Sequence, residues 1–190
     1  EDPYLYQDLF GANHIERFEK GIHREIYRYM GAHPAAVRGC MDDTDILWDV
    51  TEDAVKDDAA LLYGTHFAVW APNARSVSVV GDFNEWDIQK NPMQKTGPIG
   101  VYETFIPEAK IGDLYTFYII GYHGEEIYKA DPYGNEAELR PGTASRIADI
   151  SSYKWKDTTW MKRRPEFDET KDPMAIYEVH PGSWKKHEAK

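Results

Sequence analysis

Trp86, an indole at the end of a polar turn, is the side chain here whose type and placement best suit chemistry at a surface. The segment Val77 to Asp87 reads Val-Ser-Val-Val-Gly-Asp-Phe-Asn-Glu-Trp-Asp. Its first half alternates apolar and small polar residues, as a half-buried strand does. Gly81-Asp82 breaks that pattern and places Phe83-Asn84-Glu85-Trp86 in a surface turn. Two readings stand for Trp86: the ring stacks on a flat apolar face of a ligand such as a sugar, or it folds back over the strand edge. The other chemistry-bearing residue types lead to less. Asp42-Asp-Thr-Asp45 has carboxylates in a tight run, but the glycine and distal glutamate of a calcium loop are missing, so it reads as a solvated acidic turn. Cys40, the single cysteine, has no activating base near it in sequence and reads as a spectator thiol. His14, His23, His33, His66, His123, His180 and His187 lack metal-ligand spacing. No phosphate-cradling glycine loop and no Ser/His/Asp arrangement is present. No metal and no cofactor is expected.

The 190 residues include 22 basic and 33 acidic side chains, a net charge of −11 with histidines neutral. That balance argues against nucleic acid or an anionic membrane as partner, because no basic patch is available to release counterions. Thirteen tyrosines and six tryptophans suit a neutral ligand with flat faces, although β-rich domains also favour aromatics for packing. One cysteine permits no intrachain disulfide, and no apolar run approaches the ~20 residues of a membrane span. The expected location is the cytoplasm.

The elements that must position Trp86 follow from periodicity. Residues 1–34 read as a helical segment: Asn13 with Glu16 makes a capping pattern, and Ile15, Phe18, Ile22, Ile26 and Tyr29 recur on one face. Gly21 weakens its middle, and Gly31-Ala-His-Pro34 is read as its stop. Residues 35–62 form an acidic connection with no period. From residue 63 to 152 the pattern changes to short strands: Thr65–Trp70, Ser76–Val80, Val101–Ile106, Leu114–Ile120 and Glu126–Lys129, separated by Gly, Pro and Asn turns. That grammar predicts a mainly β fold built on a β-sandwich. Residues 153–172 read as a charged, tryptophan-dotted linker. Met174-Ala-Ile-Tyr-Glu-Val-His180, within 173–190, reads as a buried strand with no partner following it, which implies that the polypeptide belongs to something longer.

Six sequence tags in order carry a family resemblance: Gly31-Ala-His-Pro34, Phe67-Ala-Val-Trp-Ala-Pro-Asn73, Val79-Val-Gly-Asp-Phe-Asn-Glu-Trp86, Ala130-Asp-Pro-Tyr133, Arg140-Pro-Gly-Thr-Ala-Ser145 and Ile176-Tyr-Glu-Val-His-Pro-Gly-Ser-Trp184. Together they resemble the N-terminal part of bacterial 1,4-α-glucan (glycogen) branching enzymes, across nearly the whole chain. The resemblance implies an immunoglobulin-like β-sandwich of the family-48 carbohydrate-binding type, preceded by a helical segment and followed by the first strand of a truncated (β/α)₈ barrel. Such enzymes move a chain from an α-1,4 bond to a 6-hydroxyl with retention, using two carboxyl groups about 5 Å apart. In the family these lie on later barrel strands. Glu178 alone cannot form the pair, so no catalytic residue is expected here.

The resemblance also separates two sets of residues. Glucan-binding modules of this type use two tryptophans, a lysine and a small polar loop. Trp86 matches the first aromatic, Tyr128 falls at the second, and Gly142-Thr143 matches the loop. Thr116 stands where the lysine is expected, and Ser145 where an asparagine is. The candidate binding residues are therefore Trp86, Tyr128 and Thr143. Asp131, Tyr133, Arg140, Trp155 and Trp160 are candidates for packing against the catalytic barrel, and the uncovered barrel-facing surface is a candidate for self-association. Three rivals remain: a stand-alone glycogen-binding module, an isoamylase-like debranching enzyme, and a protein-interaction sandwich without a sugar role.

Overall fold

The computed structural model describes residues 12–38, 46–56, 61–168 and 170–184. Cys40, the acidic run Asp42 to Asp45 and His187 lie outside the described residues, as does the start of the expected helical segment.

Helix α1 covers Ala12–Glu19, so Asn13 lies within its first turn and not at a cap. Gly21, at φ +65°, turns the chain, and a 3₁₀ turn follows at Ile26–Arg28. The expected apolar face is therefore split. Ile15, Phe18, Ile26 and Tyr29 gather around buried Met30, Ala68 and Val101, whereas Ile22 points to solvent.

The next residues depart most from expectation. Gly31-Ala-His-Pro34 does not stop the chain; it opens strand β1, Gly31–Arg38. Strand β2, Ile46–Trp48, and a short helix α2, Glu52–Val55, follow where a connection without period was expected. The sandwich thus begins at Gly31, not at residue 63. Pro34 is tolerated inside β1 for a geometric reason. Its carbonyl accepts from the Val50 N–H at 3.4 Å, so its ring nitrogen faces that same side, beyond the end of β2 where no ladder bond is needed.

Strands β3 (Leu61–Trp70), β4 (Ala74–Gly81), β5 (Gln94–Thr96), β6 (Val101–Ile106), β7 (Leu114–Gly121) and β8 (Glu126–Lys129) carry the alternating patterns. Two short strands, β9 (Glu136–Ala137) and β10 (Ser145–Arg146), complete the second sheet. All pairings are antiparallel. One sheet runs β2-β1-β3-β6-β5, the other β4-β7-β10-β9 with β8 also on β7. Period-two alternation aims Phe67, Val69, Tyr102 and Ile106 from the first sheet at Val77, Val79, Tyr115 and Phe117 from the second. The Phe67 and Tyr115 rings meet edge to face, 5.1 Å apart.

The opposite face of the first sheet is also dry. His66 donates from Nε2 to Glu103 at 3.1 Å, and the Thr96 hydroxyl donates to the same carboxylate at 2.6 Å. Trp48 lies edge-on to His66, 5.2 Å away. A buried carboxylate is sustained there by two donors, as burial requires.

The chain divides into two compact units, one ending at Ser152 and one running from Tyr153 to Lys190. The second holds α3 (Thr158–Arg163), a 3₁₀ turn at Arg164–Glu166 and α4 (Pro181–Trp184). Met174 to His180, expected as a strand, has no regular secondary structure. A strand exists through its ladder, and among the described residues none pairs with this segment. Among the described residues, no helix is long and apolar enough to cross a membrane.

Candidate functional site

The turn carrying Trp86 is built by its own side chains. Asn84, buried, accepts the Gly81 N–H on Oδ1 (2.9 Å) and donates from Nδ2 to the Val79 carbonyl (3.0 Å) and to Asn91 (2.7 Å). Asp82 accepts the Trp86 indole N–H at 3.1 Å and, on its other oxygen, the Leu114 N–H at 2.9 Å. Phe83 packs towards Phe67, ring centroids 5.6 Å apart. Every side chain from Asp82 to Asn84 thus fixes the turn. Glu85 and Trp86 are both left-handed, at φ 58° and 61°. Left-handed backbone costs a non-glycine residue roughly 1–2 kcal/mol, and here the Asn84 and Asp82 bonds hold it. The result is a tryptophan 41% exposed, its indole N–H tied to Asp82.

Tyr128 stands on β8 opposite Tyr118 of β7, with ring centroids 5.1 Å apart. Tyr118 is buried and Tyr128 is 59% exposed, so the inner ring backs the outer one. Thr116 lies on this outer face of the second sheet, since its neighbours Tyr115 and Phe117 point into the core. Trp86, Thr116, Tyr128, Lys129, Glu138 and Thr143 line one open cleft of about 580 Å³. The three sequence candidates are therefore neighbours in one depression.

The positions that depart from the expected pattern have structural duties. The Thr116 hydroxyl donates to the Lys129 carbonyl at 2.6 Å. Ser145 is buried and its hydroxyl oxygen accepts the Asp131 N–H at 2.9 Å. Lys129 and Glu138 line the cleft without having been singled out in the sequence. Lys129 pairs with core-facing Phe117, on the face opposite Tyr128, and its carbonyl accepts the Thr116 hydroxyl at the cleft. Glu138 is brought in by a tight return in which its N–H donates to the Ala144 carbonyl at 2.9 Å. Pro141-Gly142 marks a turn there, with the Gly142 N–H bonded to the Leu139 carbonyl at 3.1 Å, but nothing local says which side chains it brings to the cleft.

The residues expected to face a barrel behave differently from one another. Asp131 is a correction: it is buried inside the first unit, accepting the Tyr115 hydroxyl (2.6 Å) and the Tyr133 N–H (2.8 Å). Burial, outweighing these donors, raises the Asp131 pKa. Burial and the adjacent Asp131 carboxylate drive the Tyr115 pKa far upward. Tyr133 closes over Gly31, where an added Cβ would lie 3.1 Å from the Tyr133 Cβ. Arg140 is exposed. In the second unit Trp155 and Trp160 are exposed, and Trp155 meets Tyr153 edge-on at 4.9 Å. A second depression, of about 550 Å³, is lined by Phe18, Ile26, Trp70 and Ile99 beside the N-terminal segment.

A two-sheet, immunoglobulin-like sandwich with aromatic rings presented on one outer face is the architecture of a binding module. The chain belongs to the family described as "Carbohydrate-binding module 48 (Isoamylase N-terminal domain)", which matches residues 40–134. Strand β1 lies ahead of that match. Over nearly its whole length the chain also matches the N-terminal region of 1,4-alpha-glucan branching enzymes. It is 43% identical over 188 residues to GlgB of Protochlamydia amoebophila (strain UWE25), covering 99% of this chain and 23% of that protein. GlgB of Rubrobacter xylanophilus is 43% identical over 187 residues, covering 98% and 23%. The chain thus spans about a quarter of the length of the curated relatives it matches. Among solved structures, PulA from Klebsiella oxytoca is 25% identical over 45% of this chain and 9% of its own, with a TM-score of 0.39.

Proposed function

We propose that this chain is the non-catalytic N-terminal portion of a glycogen branching enzyme and that its cleft holds an α-1,4-glucan strand. The observation that carries the reading is the meeting of Trp86, Tyr128 and Thr143 in one open cleft. Two exposed rings on rigid backbone offer stacking faces for successive glucosyl units, and an open groove admits a chain without needing its end. The parent protein would cleave an α-1,4 bond and form an α-1,6 branch with carboxyl groups supplied by strands of its catalytic barrel. The module would keep a long substrate near that site, in the cytoplasm. Such a site is expected to be weak, with a Kd of about 0.1–1 mM, or roughly −4 to −5.5 kcal/mol. Tyr133, Arg140, Trp155 and Trp160 are proposed to pack against the catalytic barrel in the parent.

A second reading, of a purely structural module, is favoured by the duties of Thr116 and Ser145. Affinity electrophoresis in glycogen-containing gels separates the two. The wild-type chain should be retarded, and Trp86→Ala should migrate as in a glycogen-free gel. Equal retardation of both chains removes Trp86 from the site, and free migration of both leaves the structural reading.

A further inference from the structure

Three polar groups in or next to the cleft are already committed. The Trp86 N–H is bound to Asp82 (3.1 Å), the Thr116 hydroxyl to the Lys129 carbonyl (2.6 Å) and the Ser145 oxygen to the Asp131 N–H (2.9 Å). Glu138 is different. Its Oε2 accepts the Ala144 N–H at 3.2 Å, which fixes the carboxyl group but uses little of its capacity, since a carboxylate can accept about four hydrogen bonds. The seat of this carboxyl group depends on Gly142. A Cβ added at Gly142 would lie 2.0 Å from the Glu138 Cδ and 2.1 Å from Oε2, so only glycine leaves the room.

We propose that Glu138, seated by Gly142 and the Ala144 N–H, is the carboxylate acceptor of the cleft and selects neutral vicinal diols. This rests on the reading of the cleft as a glucan site. An ionised carboxylate only accepts, and neighbouring hydroxyls of a glucosyl unit can donate one to each oxygen. Stacking on Trp86 and Tyr128 discriminates little among flat apolar faces. The carboxylate adds the requirement for paired donors and repels ligands carrying phosphate or carboxylate groups. The Lys129 carbonyl at the same cleft is already taken by the Thr116 hydroxyl, which leaves the Glu138 carboxylate as the charged acceptor there. On this account the glycine of the Gly142-Thr143 loop is needed to position Glu138.

The test is equilibrium binding of maltoheptaose to the 190-residue chain, compared with Glu138→Gln, Gly142→Ala and Trp86→Ala, together with the melting temperature of each without ligand. Glu138→Gln keeps an oxygen for the Ala144 N–H and loses the charge, so affinity should fall about fivefold to tenfold with an unchanged melting temperature. Gly142→Ala should give a similar fall, because the new Cβ displaces the flexible end of Glu138 and no backbone. Wild-type affinity in both variants, with loss in Trp86→Ala, overturns the role of Glu138 while leaving the cleft. Lost affinity accompanied by a melting temperature lowered by several degrees in both assigns Glu138 to the fold and also overturns it. No binding by the wild-type chain overturns the cleft reading itself.

Discussion

His33 shows how a residue of a sequence tag is held by charge. Its Nε2–H donates to the Met30 carbonyl at 3.0 Å, and Nδ1 lies 3.4 Å from an Asp49 oxygen. Burial pulls its pKa down, but the Asp49 contact, the Met30 carbonyl and the charges of Asp49 and Asp131 outweigh it, and the net direction is up. A histidine whose folded pKa is raised contributes stability that is fully present below its unfolded pKa of about 6.5 and lost as pH rises through the folded value. The difference in stability between wild type and His33→Gln should therefore be larger at low pH than at high pH across that window. Urea unfolding at pH 5.5 and pH 8 measures it; a difference that grows towards pH 8 contradicts this account. At the same scale the turn carrying Trp86 is legible from Gly-Asp-Phe-Asn-Glu, whereas the sequence leaves open whether the indole faces a ligand or folds back over the strand edge. Glu138 is not legible. Its place in the cleft follows from a return bonded between Glu138 and Ala144, and neither residue signals the other.

At the scale of elements, the legible strands are those whose residues carry the signal. Strands β3, β4, β6, β7 and β8 alternate β-branched or aromatic side chains with polar ones. Strand β1 is not legible, since Gly31-Ala-His-Pro-Ala-Ala36 has little β-propensity and includes proline. It is a strand because all eight residues are in register with β3 and because helix α1 and its continuation cover the outer face of that sheet. Tertiary burial decides what propensity does not. The join between β4 and the Trp86 turn depends on one close approach. A Cβ at Gly81 would lie 2.3 Å from the Leu114 carbonyl oxygen, a backbone atom that cannot move aside. Gly81→Ala should cost about 1–3 kcal/mol by overpacking, measured as a lower urea midpoint, and should weaken glycogen retardation as well. A midpoint equal to wild type contradicts the close approach.

On the scale of the whole molecule, the second unit carries much exposed apolar surface: Trp155, Trp160, Met174, Ile176 at 86%, Tyr177 and Trp184. Soluble monomers seldom leave so many large apolar side chains uncovered. In relatives about four times longer, other parts of the protein are available to cover such residues. Expressed alone, the 190-residue chain should associate with itself as concentration rises, and a chain ending at Ser152 should not. Sedimentation velocity over a hundredfold concentration range tests this; a 190-residue chain that stays monomeric throughout contradicts it. The net charge of −11 opposes such association at low salt, so the effect should strengthen as salt screens repulsion. The central claim, a glucan site on the outer face of the second sheet, is tested most directly by ¹⁵N NMR titration of the chain with maltoheptaose. The account predicts saturable shifts at the Trp86 indole N–H and at the amides of Tyr128, Lys129, Glu138 and Thr143. Shifts centred instead on Trp70 and Phe18, or none at any residue, would contradict it.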